Sequence, residues 1–422
     1  MEETPIFPQV ATISQSLVRS AITDPDRVID AAFSAHAPLC RSQEGETVAV
    51  AVGSRKIDRL AHVTFRCLRF LEERGFSPFI VPAMGSHGGA TPDGQRQVLA
   101  GLGITEASMK VPIQADMAAR PIDTHACGME ILFSEAALAA DYVVVINRIK
   151  PHTKFRANIE SGLCKMLTVG LGKAAGAQAY HRYAIGHSFG IIESAARQVM
   201  NRIRLLFGVA LVEDGYGRLA RIEIVTPEIL IETERSLLKT AASMMGRIPF
   251  DPIDVLVVDH IGKDISGIGM DSNVTGRHRD LTGDFCRSPH VRRIFVRDLS
   301  PGSDGNANGI GLADFTTRRL VERLDYEKTR LNAVSAVSPE KAALPLFYDC
   351  DREALEACLS TCGAKSPETV RLVRIRDTAS LEYLQVSRAL ERQIEDDATL
   401  TRLTPWQPIS WDAQGNLEPF IP

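Results

Sequence analysis

No run of 18 apolar residues occurs anywhere in the sequence, so it offers no stretch long enough for a membrane-spanning helix. Neither sign of charge dominates. Lys and Arg number 48 against 52 Asp and Glu, leaving a net −4. That balance excludes a dedicated nucleic-acid binder, which carries a basic domain, and it leaves no polybasic membrane patch. Cysteine is scarce at eight in 422 residues: Cys40, Cys67, Cys127, Cys164, Cys286, Cys350, Cys358 and Cys362. Scattered in this way, they fit reduced thiols rather than a disulfide framework. Cys358 and Cys362 stand four apart with no second close pair, so no structural metal is expected there. The acidic start, Met1 to Pro5, lacks the basic and apolar regions of a signal peptide, and a cytoplasmic location is expected. Aromatic residues make up only 6%.

The rest is the composition of a folded protein, 45% apolar and 24% charged, long enough for two to three domains. Short apolar runs read as buried strands at 47–52, 79–81, 142–146, 207–212, 219–225, 254–258, 293–296 and 370–375. Helical spacing covers 58–74, 92–102, 134–140, 188–203, 227–245, 312–324, 352–361 and 379–395. Such alternation predicts an α/β fold with mostly parallel sheets. Pro-rich residues 246–252 are the best linker, giving an N-terminal domain over 1–245 and a C-terminal domain over 246–422. Residues 404–422 read as an extended tail. Open α/β sheets bind ligands outside the carboxyl ends of their strands, and four motifs sit there.

The first is Gly53-Ser54-Arg55-Lys56, where a hydroxyl and two cations can hold an anion. A tight turn with solvated charges explains it as well. The second is Gly85-Ser86-His87-Gly88-Gly89, whose glycines let backbone approach a ligand and whose imidazole a plain turn does not need. Pro151-His152 comes next and leads into Ser161-Gly162-Leu163-Cys164-Lys165 and then His181. Histidine is a proton shuttle and metal ligand, and a desolvated Lys is a covalent anchor. The fourth, 260–273, is a polar Gly-rich loop opening the second half, suited to closing over a site from a second domain. Gly170, Gly172 and Gly176 miss the dinucleotide fingerprint by one residue. They keep an NAD(P)-dependent oxidoreductase open as an alternative.

Taken in order, Gly85-Ser86-His87, Pro151-His152, Ser161 to Lys165 and His181 make the chain resemble the nickel-dependent lactate racemase family. The resemblance runs through most of residues 45–280. It implies a nickel-pincer nucleotide, the pyridinium-3,5-bisthiocarboxylate mononucleotide with nickel. Lys165 matches the residue that anchors this group covalently, and His181 matches the nickel ligand. His87 and His152 match the acid/base pair. Arg55 matches an anion-holding arginine, with Ser54, Ser161 and Gly162 beside the cofactor. The implied activity is racemisation or epimerisation at C2 of a 2-hydroxy acid, with the active site in the interdomain cleft. Cofactor-synthesis enzymes are implied as maturation partners, and a homo-oligomer is compatible with the reading. Where the family carries a Tyr-Gln pair before Lys, this chain has Lys263-Asp264 and then Asp271 and Asn273. Those groups, expected to face substrate, point to a more hydroxylated acid than lactate, such as a sugar acid. A non-catalytic homologue that only binds the cofactor is the remaining alternative.

Overall fold

The structure, a computed structural model, describes residues 6–36, 45–279, 281, 285 and 288–420. Cys40 and Cys286 lie outside the described residues, and none of the other six cysteines is in a disulfide. The fold is mixed α/β. The strands of the first half are β1 (Val10–Gln15), β2 (Thr47–Val52), β3 (Ser77–Pro82), β4 (Ala119–Thr124), β5 (Glu130–Ser134), β6 (Tyr142–Arg148), β7 (Leu205–Glu213) and β8 (Leu219–Val225). Those of the second half are β9 (Ile253–Ile261), β10 (Val291–Leu299), β11 (Phe315–Thr317), β12 (Leu346–Tyr348), β13 (Leu372–Ile375), β14 (Tyr383–Ser387) and β15 (Leu400–Arg402). One sheet has the order β3-β2-β6-β7-β8, the other β12-β11-β10-β9-β13-β14-β1-β15, and β4 and β5 form a separate hairpin.

The apolar strands show no in-out alternation because both of their faces are covered. Ala49 and Ala51 of β2 join Val143 and Val145 of β6 in one core. Val48, Val50 and Val52 join Val144 and Ile146 in another. The second sheet is built alike, with Val255 and Val257 in one core and Leu256 and Val258 in the other. The helix Leu60–Glu72 buries Leu60, Val63, Cys67, Phe70 and Leu71. Full burial of a Leu, Val or Phe side chain contributes about 1.5–3 kcal/mol. Among the described residues no helix is long and apolar enough to cross a membrane.

The chain divides into two compact units, residues 19–245 and residues 1–18 with 246–422. The sequence reading grouped residues 1–18 with the first unit, on order along the chain alone. Strand β1 instead pairs antiparallel with β14 and β15, where Ile13 is fully buried. A second difference concerns 379–395, expected as one helix. Most of it is β14, with Leu384 and Val386 buried and Gln385 turned outward, and only Glu391–Asp396 is helical. Pairing to β13 on one side and β1 on the other outweighs the local helical spacing. Similarly, 312–324 is divided between β11 and the short helix Arg318–Arg323. The tail packs onto its own unit, with Ile409, Leu417 and Phe420 buried.

In the first sheet β2 lies between β3 and β6, and all three are parallel. Their carboxyl ends are therefore side by side. The chain leaves β2 for β3 on one flank and later returns to β6 on the other, and such a reversal of direction opens a crevice above the sheet.

Candidate functional site

Three of the motifs leave these three strand ends. From β2 the chain enters Gly53-Ser54-Arg55. From β3 it enters the turn holding His87, where Gly85 and Gly88 both take positive φ. Gly88 also tolerates no side chain, since a Cβ would lie 2.4 Å from the Gly94 carbonyl carbon. The buried Gln95 ties this turn down, donating to the Gly85 carbonyl at 3.0 Å and the His87 carbonyl at 3.4 Å.

The His87 ring lies between two motif residues. Its Nδ1 meets the Ser54 hydroxyl, and the Arg55 guanidinium donates to its Nε2 at 3.5 Å. A ring that accepts at Nε2 carries its proton on Nδ1 and gives it to Ser54 Oγ. Burial, then repulsion from Arg148, brings Arg55 down to about 10, and among the described residues no carboxylate pairs with it. Arg148 itself is paired with Glu213.

The loop after β6 folds back on itself. The Lys150 N–H donates to the Ser161 carbonyl at 2.9 Å, and the Asn147 amide donates to the Gly162 carbonyl at 2.9 Å. The Glu160 carboxylate fastens the turn from inside, accepting the His152 N–H at 2.6 Å and the Ala157 N–H at 3.2 Å. Burial nonetheless pushes its carboxyl above the ordinary range.

Lys165 ends a single helical turn, Leu163–Lys165, which continues as a wider π-helical turn over Met166–Gly170. Such turns often occur at functional sites. The start of the turn rests on Glu234, fully buried in the helix Leu230–Met244. Its Oε2 accepts the Cys164 N–H at 2.9 Å. A Cβ on residue 162 would lie 2.2 Å from Glu234 Oε1, so only glycine lets the carboxyl in. Burial raises Glu234 to about 7 against the pull of the Cys164 N–H.

The Lys165 amine lies 2.8 Å from His152 Nε2, while His152 Nδ1 accepts the Lys154 N–H at 3.1 Å. An imidazole accepting at Nδ1 holds its proton on Nε2, so here Nε2–H donates and the lysine nitrogen accepts. Only an unprotonated amine has the lone pair for that. Burial first, then the charges of Arg55, Lys150 and Lys154, bring Lys165 down to about 7. The geometry and the electrostatics therefore agree on a lysine that is readily unprotonated, and so nucleophilic, near neutral pH.

His181 reaches this group through a train of rings. His152 packs on Phe155 at 4.5 Å between ring centres, Phe155 stacks on Phe189 at 5.1 Å, and His181 meets Phe189 edge-on at 6.2 Å. The buried Lys154 ammonium lies 5.0 Å over the Phe189 ring. The structure thus brings Ser54, Arg55, His87, His152, Ser161, Gly162, Lys165 and His181 into one unit. Lys263, Asp271 and Asn273 belong to the other. Lys263 bonds to the Asn332 side chain. Asp271 and Asn273 are buried, and Asp271 Oδ1 accepts both the Asn273 N–H at 2.9 Å and its side-chain amide at 2.8 Å.

Sequence reasoning missed Gln95, Glu160, Glu234, Phe155 and Phe189. Glu160 alone had a local signal, lying next to Ser161 in the motif.

The glycines of the near-dinucleotide pattern lie against protein. A Cβ on Gly170 would meet the Ala83 carbonyl oxygen at 2.7 Å, one on Gly172 the Thr168 carbonyl oxygen at 2.4 Å, and one on Gly176 the Leu132 Cβ at 3.5 Å. They serve close packing of the Lys165 turn and leave no bare backbone for a pyrophosphate.

No family model matches the chain, and no curated protein does. Among solved structures it is similar to a protein from Thermotoga maritima known by crystal structure. The two share 14% identity over 87% of this chain and 99% of that one, with a TM-score of 0.54. That likeness is one of fold. A second similar structure is the lactate racemase apoprotein from Thermoanaerobacterium thermosaccharolyticum, at 12% identity over 87% of this chain and 84% of that one, TM-score 0.48.

Proposed function

We propose that this chain inverts C2 of a 2-hydroxy acid, with His87 and His152 as the acid/base pair and a nickel-pincer nucleotide held by Lys165 and His181. The observation that carries the reading is the Lys165 amine, 2.8 Å from one of two oriented imidazoles and brought down to about 7 within a cationic loop cluster. The donor set suits such a group. Among the described residues no cluster of three His, Cys, Asp or Glu could hold a bare metal ion. A metal whose organic partner brings most of its ligands needs one protein imidazole, and His181 is one. An unprotonated lysine is also the form that acylates to an amide or thioamide.

When bound, the nucleotide supplies a reversible hydride acceptor. The chain's residues do the rest. Arg55, held without a carboxylate partner, is suited to bind the substrate carboxylate or the nucleotide phosphate. Each imidazole has both nitrogens engaged, His87 by Ser54 and Arg55 and His152 by the Lys154 N–H and the Lys165 amine, so its orientation and tautomer are set for proton exchange. The apolar rings of Phe155 and Phe189 exclude water from one side of the cluster.

The test is expression of the chain together with cofactor-synthesis enzymes, followed by intact mass, nickel analysis and chiral chromatography of a 2-hydroxy-acid panel. The expected result is a nickel-bearing adduct that Lys165→Ala abolishes, with inversion of at least one acid. Unmodified, nickel-free protein under those conditions overturns the reading.

A further inference from the structure

A neutral lysine amine touching a proton-bearing imidazole among fixed cations is equipped for a reaction that requires no bound cofactor. We propose that, in chains whose Lys165 carries no nucleotide, the Lys165 amine condenses with a small 2-oxo acid to form an imine. The inference stands on the geometry of Lys165 and His152 and is independent of the nickel reading.

Lys154 N–H occupies His152 Nδ1 at 3.1 Å, which leaves Nε2–H aimed at the Lys165 nitrogen 2.8 Å away. The acid that must protonate the departing oxygen is thus beside the nucleophile. Arg55 and Lys150 act on the same amine, so an anionic carbonyl compound meets complementary charge there. The steps balance. The nitrogen lone pair forms the C–N bond, and the carbonyl π pair moves onto oxygen to give a carbinolamine. The two amine protons then leave with that oxygen as water, relayed by His152, and the C=N bond closes. No electron acceptor or donor is consumed. Imine formation and nucleotide anchoring use the same nitrogen, so a 2-oxo acid would compete with maturation of the site.

The experiment uses the full chain made without cofactor-synthesis enzymes, pyruvate as probe and borohydride to fix any imine, at pH 7. An ordinary lysine, with a pKa near 10.4, is neutral in only about one part in 2,500 at that pH, whereas Lys165 is about half neutral. Peptide mapping should therefore find the reduced adduct on Lys165 at least about tenfold ahead of exposed lysines such as Lys56 and Lys110. Label spread evenly over the surface lysines would overturn the proposal, and this reading needs no variant to fold. Propanal serves as the uncharged probe. Arg55→Ala should lower the ratio of pyruvate to propanal labelling at Lys165, and an unchanged ratio removes the anion-binding part. His152→Gln should slow trapping by about 100-fold, and unaltered trapping removes the relay. Absence of imine would leave the nucleotide adduct of the previous section untested and intact, so the two failures are distinguishable.

Discussion

The guanidinium network of the eight-stranded unit and the motif cations of the five-stranded unit are built differently. In the eight-stranded unit Arg374, Arg297 and Arg371, buried or half-buried, each have a carboxylate. Arg374, 2% exposed, is gripped by both oxygens of Asp259 at 2.8 and 3.0 Å. Burial works against the charge of Arg297, yet Asp259 and Asp351 outweigh it and hold that guanidinium above its ordinary value. Asp254 does the same for Arg371. In the five-stranded unit burial first, and then neighbouring cations, bring Arg55 and Lys165 down, whereas the lowering of Arg374 by burial is opposed by Asp259. Paired charges make structure, because removing either partner strands the other in a medium that cannot solvate it. A guanidinium set among other cations, as Arg55 is, calls for an anion, and groups perturbed in this way cluster at functional sites.

Substitutions that break this contrast differ in size. The largest effect belongs to the unpaired side. Lys165→Ala should abolish the adduct and lower turnover of nucleotide-loaded protein by at least about 1,000-fold, read by intact mass and chiral chromatography. Next comes the paired side, where Asp259→Ala should cost about 3–5 kcal/mol in urea unfolding. A loss below 1 kcal/mol there would show that the pairing is incidental.

Smaller effects sharpen the comparison through pH. A Lys165 value of about 7 means that the folded chain binds fewer protons than the unfolded one between pH 7 and about 10.4. Stability therefore rises with pH across that window, and the penalty is present in full below it. Lys165→Met should stabilise the protein by about 2 kcal/mol at pH 6, the gain fading towards pH 10. Glu234, raised to about 7, has the opposite sign. The folded chain holds the extra proton between about pH 4.5 and 7, so stability falls as pH rises there. Glu234→Gln keeps the acceptor for Cys164 N–H and should stabilise by about 1 kcal/mol above pH 7, with no gain at pH 4. Thermal melts of each variant against wild type across pH measure both. The smallest change is at the exposed pair Arg330 and Glu327, where Arg330→Ala should stay within about 0.5 kcal/mol.

Much of this was legible along the chain because strand ends concentrate unusual residues. His87 within its glycines, Pro151-His152 and the Lys165 motif are local patterns, and their parallel strands are continuous apolar runs. The supports of the site were hidden because they act over distance. Glu234 reaches Cys164 from 70 positions away, and in sequence it is one acid among several on an amphipathic helix. Gln95 is an ordinary polar residue until its burial is known. Strand β14 was concealed for a related reason, since Tyr383, Val386, Leu390 and Ile394 follow helical spacing while Leu384 and Val386 follow alternation. Only the flanking strands decide between the two periods.

The placement of β1 bears on how the protein is made. Thr12 bonds to Thr404, 392 positions on. At roughly 5–20 residues per second of synthesis, the first strand waits roughly 20–80 s for its partners to emerge. The five-stranded unit, whose strands all lie between, can close during that wait, while the amino-terminal segment remains an open sheet edge. Long-range pairing of this kind is slow and exposed to aggregation. Strand β1, made long before β14 and β15, is thus among the last strands of its unit to be sheltered.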